Sequence, residues 1–135
     1  GMIYNNRNDV NAIIHTHSQN ASTIAAARVE VPGILDDQVQ ILGPTIRCAD
    51  YALPGTKMLA KRVLKALKRR NAVTLANHGA LVCSRDMGEA FTACAVLEKA
   101  CKSFIESKFI GEAKPIGKVG GFIMRQYYLK KYAKK

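Results

Sequence analysis

An α/β fold, with a layered mixed β-sheet flanked by helices, is what this sequence predicts, and three observations predict it. Short β-branched apolar runs alternate with longer segments whose apolar residues recur at three and four, without strict βαβ regularity. Gly/Pro pairs punctuate the boundaries at Pro32-Gly33, Gly43-Pro44 and Pro54-Gly55. The 135 residues are 48% hydrophobic and 23% charged, which suits one buried core and puts the whole of 1–135 in a single domain. The same figures exclude wholesale disorder, and no apolar run approaches the ~18 residues of a membrane span.

The elements follow in order. Residues 9–17, with Ile13 and Ile14 at their centre, read as a short buried strand. Residues 21–28 are alanine-rich and helical, and Pro32-Gly33 ends that region. One or two short strands are expected over 39–48, around Gly43-Pro44. Thr56 is the expected N-cap of a helix to about residue 70. Leu59, Ala60, Val63, Leu64 and Leu67 give that helix an apolar stripe and leave Lys57, Lys61, Lys65 and Lys68 outside. Residues 72–76 read as a strand, Asn77-His78-Gly79 as its terminal turn, and 80–83 as the next strand. Asp86 with Glu89 resembles a capping box, with Asp in place of Ser or Thr. The helix behind it shows Ala90, Phe91, Cys94, Leu97, Cys101, Phe104 and Ile105 on one face, and Gly111 stops it. A short basic helix over about 122–132 completes the chain.

The net charge is +11, from 21 basic and 10 acidic residues, and it favours anionic partners. Lys61, Arg62, Lys65, Lys68, Arg69 and Arg70 read as a solvated helix face, and no aromatic residues interleave with them for base stacking. Neither a nucleic-acid nor a membrane partner is therefore expected. The basic run from Arg125 to the C-terminus reads as a solubilising tail. Cys48, Cys83, Cys94 and Cys101 form no C-x-x-C pair. The start has no basic region followed by an apolar one, so no secretory signal is read and reduced core thiols in the cytoplasm are expected. Gly1 ahead of Met2 reads as a tag-cleavage scar.

The histidines carry the chemical signal. His15 and His17 lie two apart at the end of an expected strand, where i and i+2 share a face. His78 ends a second expected strand, and adjacent strand ends would bring it to the same edge. Three neutral imidazoles with one position open describe a catalytic zinc site, with bonds of ~2.0–2.1 Å. An H-x-H pair on its own is a weak signal, since two strand histidines are more often exposed surface; it is the use of every histidine at strand ends that strengthens it. Gly79 fits as a residue that lets the backbone turn sharply beside a ligand.

The run from Asp9 to Ser18, Asp-Val-Asn-Ala-Ile-Ile-His-Thr-His-Ser, resembles the metal-binding strand of the class II aldolase/adducin family. Leu75-Ala76-Asn77-His78-Gly79-Ala80-Leu81 resembles the segment carrying that family's third ligand, and Cys48-Ala49-Asp50-Tyr51-Ala52-Leu53-Pro54-Gly55-Thr56 its connector. Glu89-Ala90 and Leu97-Glu98 also match, and the likeness runs from Tyr4 to about Tyr132. It implies a zinc enzyme that cleaves or epimerises a phosphorylated ketose, with His15, His17 and His78 as metal ligands and other divalent metals acceptable to the same imidazoles. Such a metal would stabilise, as a Lewis acid, the enediolate left by carbon–carbon cleavage. The resemblance further implies a homo-oligomer, a tetramer with sites at its interfaces.

Departures from the pattern shape the expectation. The family's phosphate-binding loop and acidic catalytic residue precede the H-x-H strand and have no counterpart in this sequence. Asp36 stands where fuculose-phosphate aldolases carry a catalytic tyrosine, while the epimerases' aspartate pairs with Gln40. Asp36 is thus a candidate acid/base, against the more ordinary reading of a solvated loop carboxylate. Tyr132 is the counterpart of a C-terminal tyrosine that reaches the site; Tyr127 and Tyr128 are expected to pack. Glu98 is either a partner holding a histidine or, more simply, a half-exposed helix charge. Two functional readings follow: a metal-dependent sugar-phosphate aldolase or epimerase with little activity in this short chain, or a non-catalytic family member serving as a zinc-stabilised or protein-interaction module. Loss of covering segments would expose a sheet edge and favour association.

Overall fold

The computed structural model describes residues 2–133, with side chains as far as 131. Among the described residues the strands are β1 (Ala12–Thr16), β2 (Val31–Pro32), β3 (Thr45–Ala49), β4 (Ala72–Leu75) and β5 (Gly79–Ser84). They form one sheet in the order β1-β5-β4-β3-β2. Only β3 and β4 pair in parallel; the other neighbours are antiparallel, so the sheet is mixed, as the sequence predicts. The helices are α1 (Met2–Asn6), α2 (Gln19–Ala27), α3 (Asp36–Leu42), α4 (Lys57–Leu67), α5 (Met87–Ser107) and α6 (Lys118–Ala133).

Strand alternation divides the core into two layers. Ile14, Ala80, Val82 and Ala72 face α2 and α5, where they meet Ile24, Val96, Leu97 and Cys101. Ile13, Leu81, Cys83, Val73 and Leu75 face the other way, onto Val63 and Leu67 of α4 and Ile3 of α1. Leu67 and Leu97 are wholly buried; full burial of a leucine contributes about 1.5–3 kcal/mol, so these two helices are the main anchors of their layers. Arg7 ties the approach to β1 onto the end of α4: it pairs with Asp9 at 2.8 Å and donates to the Lys68 and Arg70 carbonyls at 2.7 Å.

Several elements match the sequence closely. Thr56 caps α4, its hydroxyl accepting from the Leu59 N–H at 3.2 Å, and the Asp86 carboxylate accepts from the Glu89 N–H at 2.7 Å to open α5. Cys83 and Cys101 are buried, and burial pushes their thiols up to about 11 and about 12.

Others differ. Residues 39–42, expected as strand, belong to helix α3. Its signal lies just upstream: the Gln38 amide oxygen accepts from the N–H groups of Ile34 and Leu35 at 3.1 and 3.3 Å, and its nitrogen donates to the Pro32 carbonyl at 2.8 Å. Asp36 and Asp37 in the first turn suit the helix dipole. Gly43, at φ +119°, ends the helix, and β3 follows alone. Helix α1 and strand β2 are too short to announce themselves by periodicity. Phe91 lies outside the stripe of α5 and is exposed, as is Tyr127, whereas Tyr128 is buried as expected. Arg125 is no part of a solvated tail, since it is 7% exposed.

Candidate metal centre

Register brings the histidines together. Both β1 and β4 run antiparallel to β5, so they point the same way and end at one edge of the sheet. Thr16 pairs with Ala80, which pairs on its other side with Thr74. His15 is the penultimate residue of β1, His17 lies one residue beyond its end, and His78 occupies the turn from β4 to β5. The ring centroids of His15 stand 4.7 Å from those of both His17 and His78, and His17 and His78 are 5.1 Å apart. One nitrogen from each ring lies within 4.8 Å of the others. A tetrahedral ion with bonds of ~2.0–2.1 Å sets such nitrogens about 3.3 Å apart, a contraction that side-chain rotation supplies. Among the described residues no carboxylate or thiolate joins this cluster.

Local chemistry fixes each arm. The turn depends on Asn77, whose φ of 61° is a conformation asparagine tolerates well. The His78 N–H closes the turn onto the Leu75 carbonyl at 2.9 Å. The Ala25 carbonyl of α2 accepts from the Asn77 N–H at 3.0 Å, and Arg28 Nε donates to Asn77 Oδ1 at 2.9 Å. Gly79 acts through close approach rather than through an unusual φ. A Cβ there would lie 2.5 Å from the Thr16 carbonyl oxygen and 2.7 Å from Cδ2 of His17, so only glycine lets β5 start against the H-x-H segment.

Glu98 of α5 holds neither a histidine nor an idle surface position. Its carboxylate accepts from the N–H groups of Asn20 and Ala21 at 3.0–3.1 Å and from the Asn20 side chain at 2.9 Å. It therefore caps α2, a role the Ser18 side chain leaves open. Burial alone would push the Glu98 carboxyl up, but the Asn20 and Ala21 donors outweigh it and leave the group below the usual range. This anchors the chain three residues after His17. The imidazole of His15 is shifted down, first by burial and then by the charges of His78 and His17, which favours the neutral form that can bind a metal.

Beside His15 and His78 lies a cavity of about 390 Å³ walled mainly by apolar side chains, among them Ile3, Tyr4, Ile13, Leu59 and Val63. Asp36 is exposed at the start of α3 and stands outside the histidine cluster. Tyr132 falls in the last turn of α6, and its side chain lies outside the described residues. Sequence reasoning missed Asn77 and Arg28 as supports of His78. Their one visible signal is an asparagine between a β-run and a histidine, a position suited to a left-handed turn.

A mixed sheet whose edge gathers three imidazoles, with helices on both faces, defines an α/β protein with a candidate metal centre. Comparison with known proteins gives the family and the fold to which the chain belongs. The family described as "Class II Aldolase and Adducin N-terminal domain" matches residues 1–105. The 5-deoxy-D-ribulose 1-phosphate aldolase of Bacillus thuringiensis serovar kurstaki is 39% identical over 111 residues, which is 82% of this chain and 52% of that protein. The L-fuculose phosphate aldolase of Methanocaldococcus jannaschii is 34% identical over 101 residues, covering 75% of this chain and 54% of its own. Among solved structures, an L-fuculose 1-phosphate aldolase superposes with a TM-score of 0.90 at 32% identity, covering 94% of this chain and 59% of the other. The chain belongs to the class II aldolase/adducin family. It spans about half the length of the curated relatives it matches.

Proposed function

We propose that this chain, read as one domain over 1–135, carries the metal centre of a class II sugar-phosphate aldolase, with His15, His17 and His78 holding a zinc ion or a similar divalent cation. The convergence of three imidazoles from two strand ends within 4.8 Å is the observation that carries the reading. Its support is the chemistry of the donors: neutral imidazoles suit a borderline-soft dication, and partial desolvation with the two neighbouring imidazoles shifts His15 toward that form. A cation bound there would supply Lewis-acid stabilisation of the negative charge that builds beside a ketone when a carbon–carbon bond breaks. The chain's own residues do the positioning. Gly79 permits the close approach of β5, the Asn77–Arg28 contact orients the turn, and Glu98 holds the start of α2.

The proposed substrate is a phosphorylated ketose, since the relatives above are named for L-fuculose phosphate and 5-deoxy-D-ribulose 1-phosphate. The two candidates for moving protons, Asp36 and Tyr132, belong to α3 and α6, which pack on each other, while the histidines stand on β1 and the β4–β5 turn. In this reading they serve a site shared between subunits of a cytoplasmic homo-tetramer.

The experiment is elemental analysis of tag-free protein beside His78→Ala. About one metal ion per chain, lost in the variant, is expected for a three-ligand site. Protein that stays folded and binds no metal would overturn the reading. Cleavage of fuculose 1-phosphate, assayed on the same samples, is expected to be weak, because proton transfer and phosphate binding call for more than the histidine cluster provides.

A further inference from the structure

We propose that the cleft bounded by the end of α2, strand β3 and helix α4 binds a small phosphate-bearing anion at a site separate from the histidine cluster. The cleft measures about 410 Å³ and is lined by Arg28, Glu30, Arg47, Asp50, Arg62 and Lys65. A lobe of about 280 Å³ sharing Arg28 and Arg62 continues it toward Tyr51 and Ala76. These sizes suit a small molecule.

Four cations face two carboxylates here, a surplus of two positive charges. They come from three elements, so this is no single solvated helix face. Arg47 is engaged with Glu30 at 3.4 Å. Among the described residues no carboxylate lies within ion-pair distance of Arg28, Arg62 or Lys65. The two free arginines are nonetheless held in place. Arg28 spends Nε on Asn77 and lies over the Tyr51 ring, 5.7 Å from its centroid. Arg62 spends one terminal nitrogen on the Tyr51 carbonyl. Each keeps donors unspent, and a guanidinium fixed on one side and free on the other is prepared for the paired hydrogen bonds that a phosphate accepts. The crowding of cations extends to Arg70, whose guanidinium is shifted down by burial and then by the charge of Arg47. An anion would relieve that repulsion. The contrast with the largely apolar cavity at His15 and His78 separates the two sites chemically.

This inference does not depend on the metal reading, and its test keeps the two apart. Inorganic phosphate and glycerol 3-phosphate are titrated by calorimetry at low ionic strength into the full chain, into Arg62→Gln/Lys65→Gln, into Lys65→Gln alone, into Lys114→Gln and into His78→Ala. Saturable binding of one anion per chain is expected, weakened about tenfold or more in the double variant. Lys65→Gln, at an exposed position without a hydrogen bond in the structure, should show part of that loss with an unchanged melting temperature. Lys114→Gln, which removes one charge from the exposed connector before α6, should bind as the parent does, and so should His78→Ala. Binding of both probes assigns a phosphate ester, and binding of inorganic phosphate alone assigns the free ion; either upholds the site. Absence of saturation, equal weakening by Lys114→Gln, or loss of binding in His78→Ala would overturn it. A change in sedimentation of the double variant without phosphate binding would also overturn it, in favour of a contact between copies of the chain.

Discussion

Two polar clusters sit at opposite ends of β4, and they are built on contrary principles. Before the strand, the Arg125 guanidinium of α6 donates to the carbonyls of Gln40 and Ile41 at 2.8 and 3.0 Å, to that of Arg69 at 3.1 Å, and to the Asn71 side chain. Asn71 passes the bonding on to the Cys83 carbonyl at 2.6 Å. This cluster is closed: burial pulls Arg125 down to about 10, yet its acceptors are protein atoms that would otherwise lie orphaned at helix ends. After the strand, three imidazoles converge on one another, two of them exposed, with no protein donor or acceptor to occupy their nitrogens among the described residues. A polar group whose bonds are all spent inside the protein stabilises the fold. A cluster whose lone pairs meet only each other is available to a ligand.

Removing the closed cluster should therefore have the largest effect on stability and little effect on the metal. Arg125→Met keeps much of the side chain's volume but orphans three carbonyls and the Asn71 oxygen. A loss of about 3 kcal/mol is expected, or roughly 10 °C in melting temperature for a chain of this size. Metal content per folded chain should stay at the parent's level. A variant that melts like the parent would show that α6 is not held by this clamp, and the contrast between the two ends of β4 would lose its basis.

Gly79 tests the open cluster from the backbone side, with a smaller expected cost. A methyl group there meets the Thr16 carbonyl at 2.5 Å and the His17 ring at 2.7 Å, so β5 or the H-x-H segment must give way. Gly79→Ala should lose about 1–3 kcal/mol, and, unlike Arg125→Met, it should weaken zinc affinity as well. Thermal melting beside a zinc titration separates the two effects. Unimpaired zinc binding in a destabilised variant would mean that the rings settle independently of the backbone between them.

How far the sequence reveals these two clusters differs for a physical reason. The open one is legible because it uses every histidine in the chain and places each at or beside a strand end, where period-two alternation and Gly79 mark the location. The mixed sheet, the cap at Thr56 and the turn at Asn77 are legible on similar local grounds. The closed cluster is not: Arg125 stands among the basic residues of the last helix, and nothing within a few positions tells that its acceptors lie at residues 40, 41, 69 and 71. Residues 39–42 mislead for a different reason: Val39, Ile41 and Leu42 read as a β-run, and the short-range cap by Gln38 that starts the helix leaves no mark in the apolar pattern. Bonds across 50 residues or more leave no local mark at all, and Glu98 shows the limit, being visible as an acid near a stripe and invisible as the cap of a helix 77 residues away.

Glu98 gives the finest test, since it belongs to neither end of β4 yet holds the chain directly after His17. Glu98→Gln keeps the shape and can still accept hydrogen bonds, but it removes the negative charge from the start of α2; a loss of about 0.5–1 kcal/mol is expected near neutral pH. The pH dependence fixes the assignment. The folded-state carboxyl lies below its ordinary value, so the unfolded chain takes up the proton first as pH falls. Its stabilising contribution is therefore complete above the ordinary glutamate range near pH 4.3 and disappears as pH drops through the depressed folded value. Melting curves of parent and variant should differ at pH 7 and converge in that acid window. A constant gap across it would place the effect in packing rather than in the charge at the helix start. If the variant also binds zinc less tightly at neutral pH, the cap is a positioning device for His17. Unchanged affinity would confine the open cluster's supports to the β-turn and Gly79.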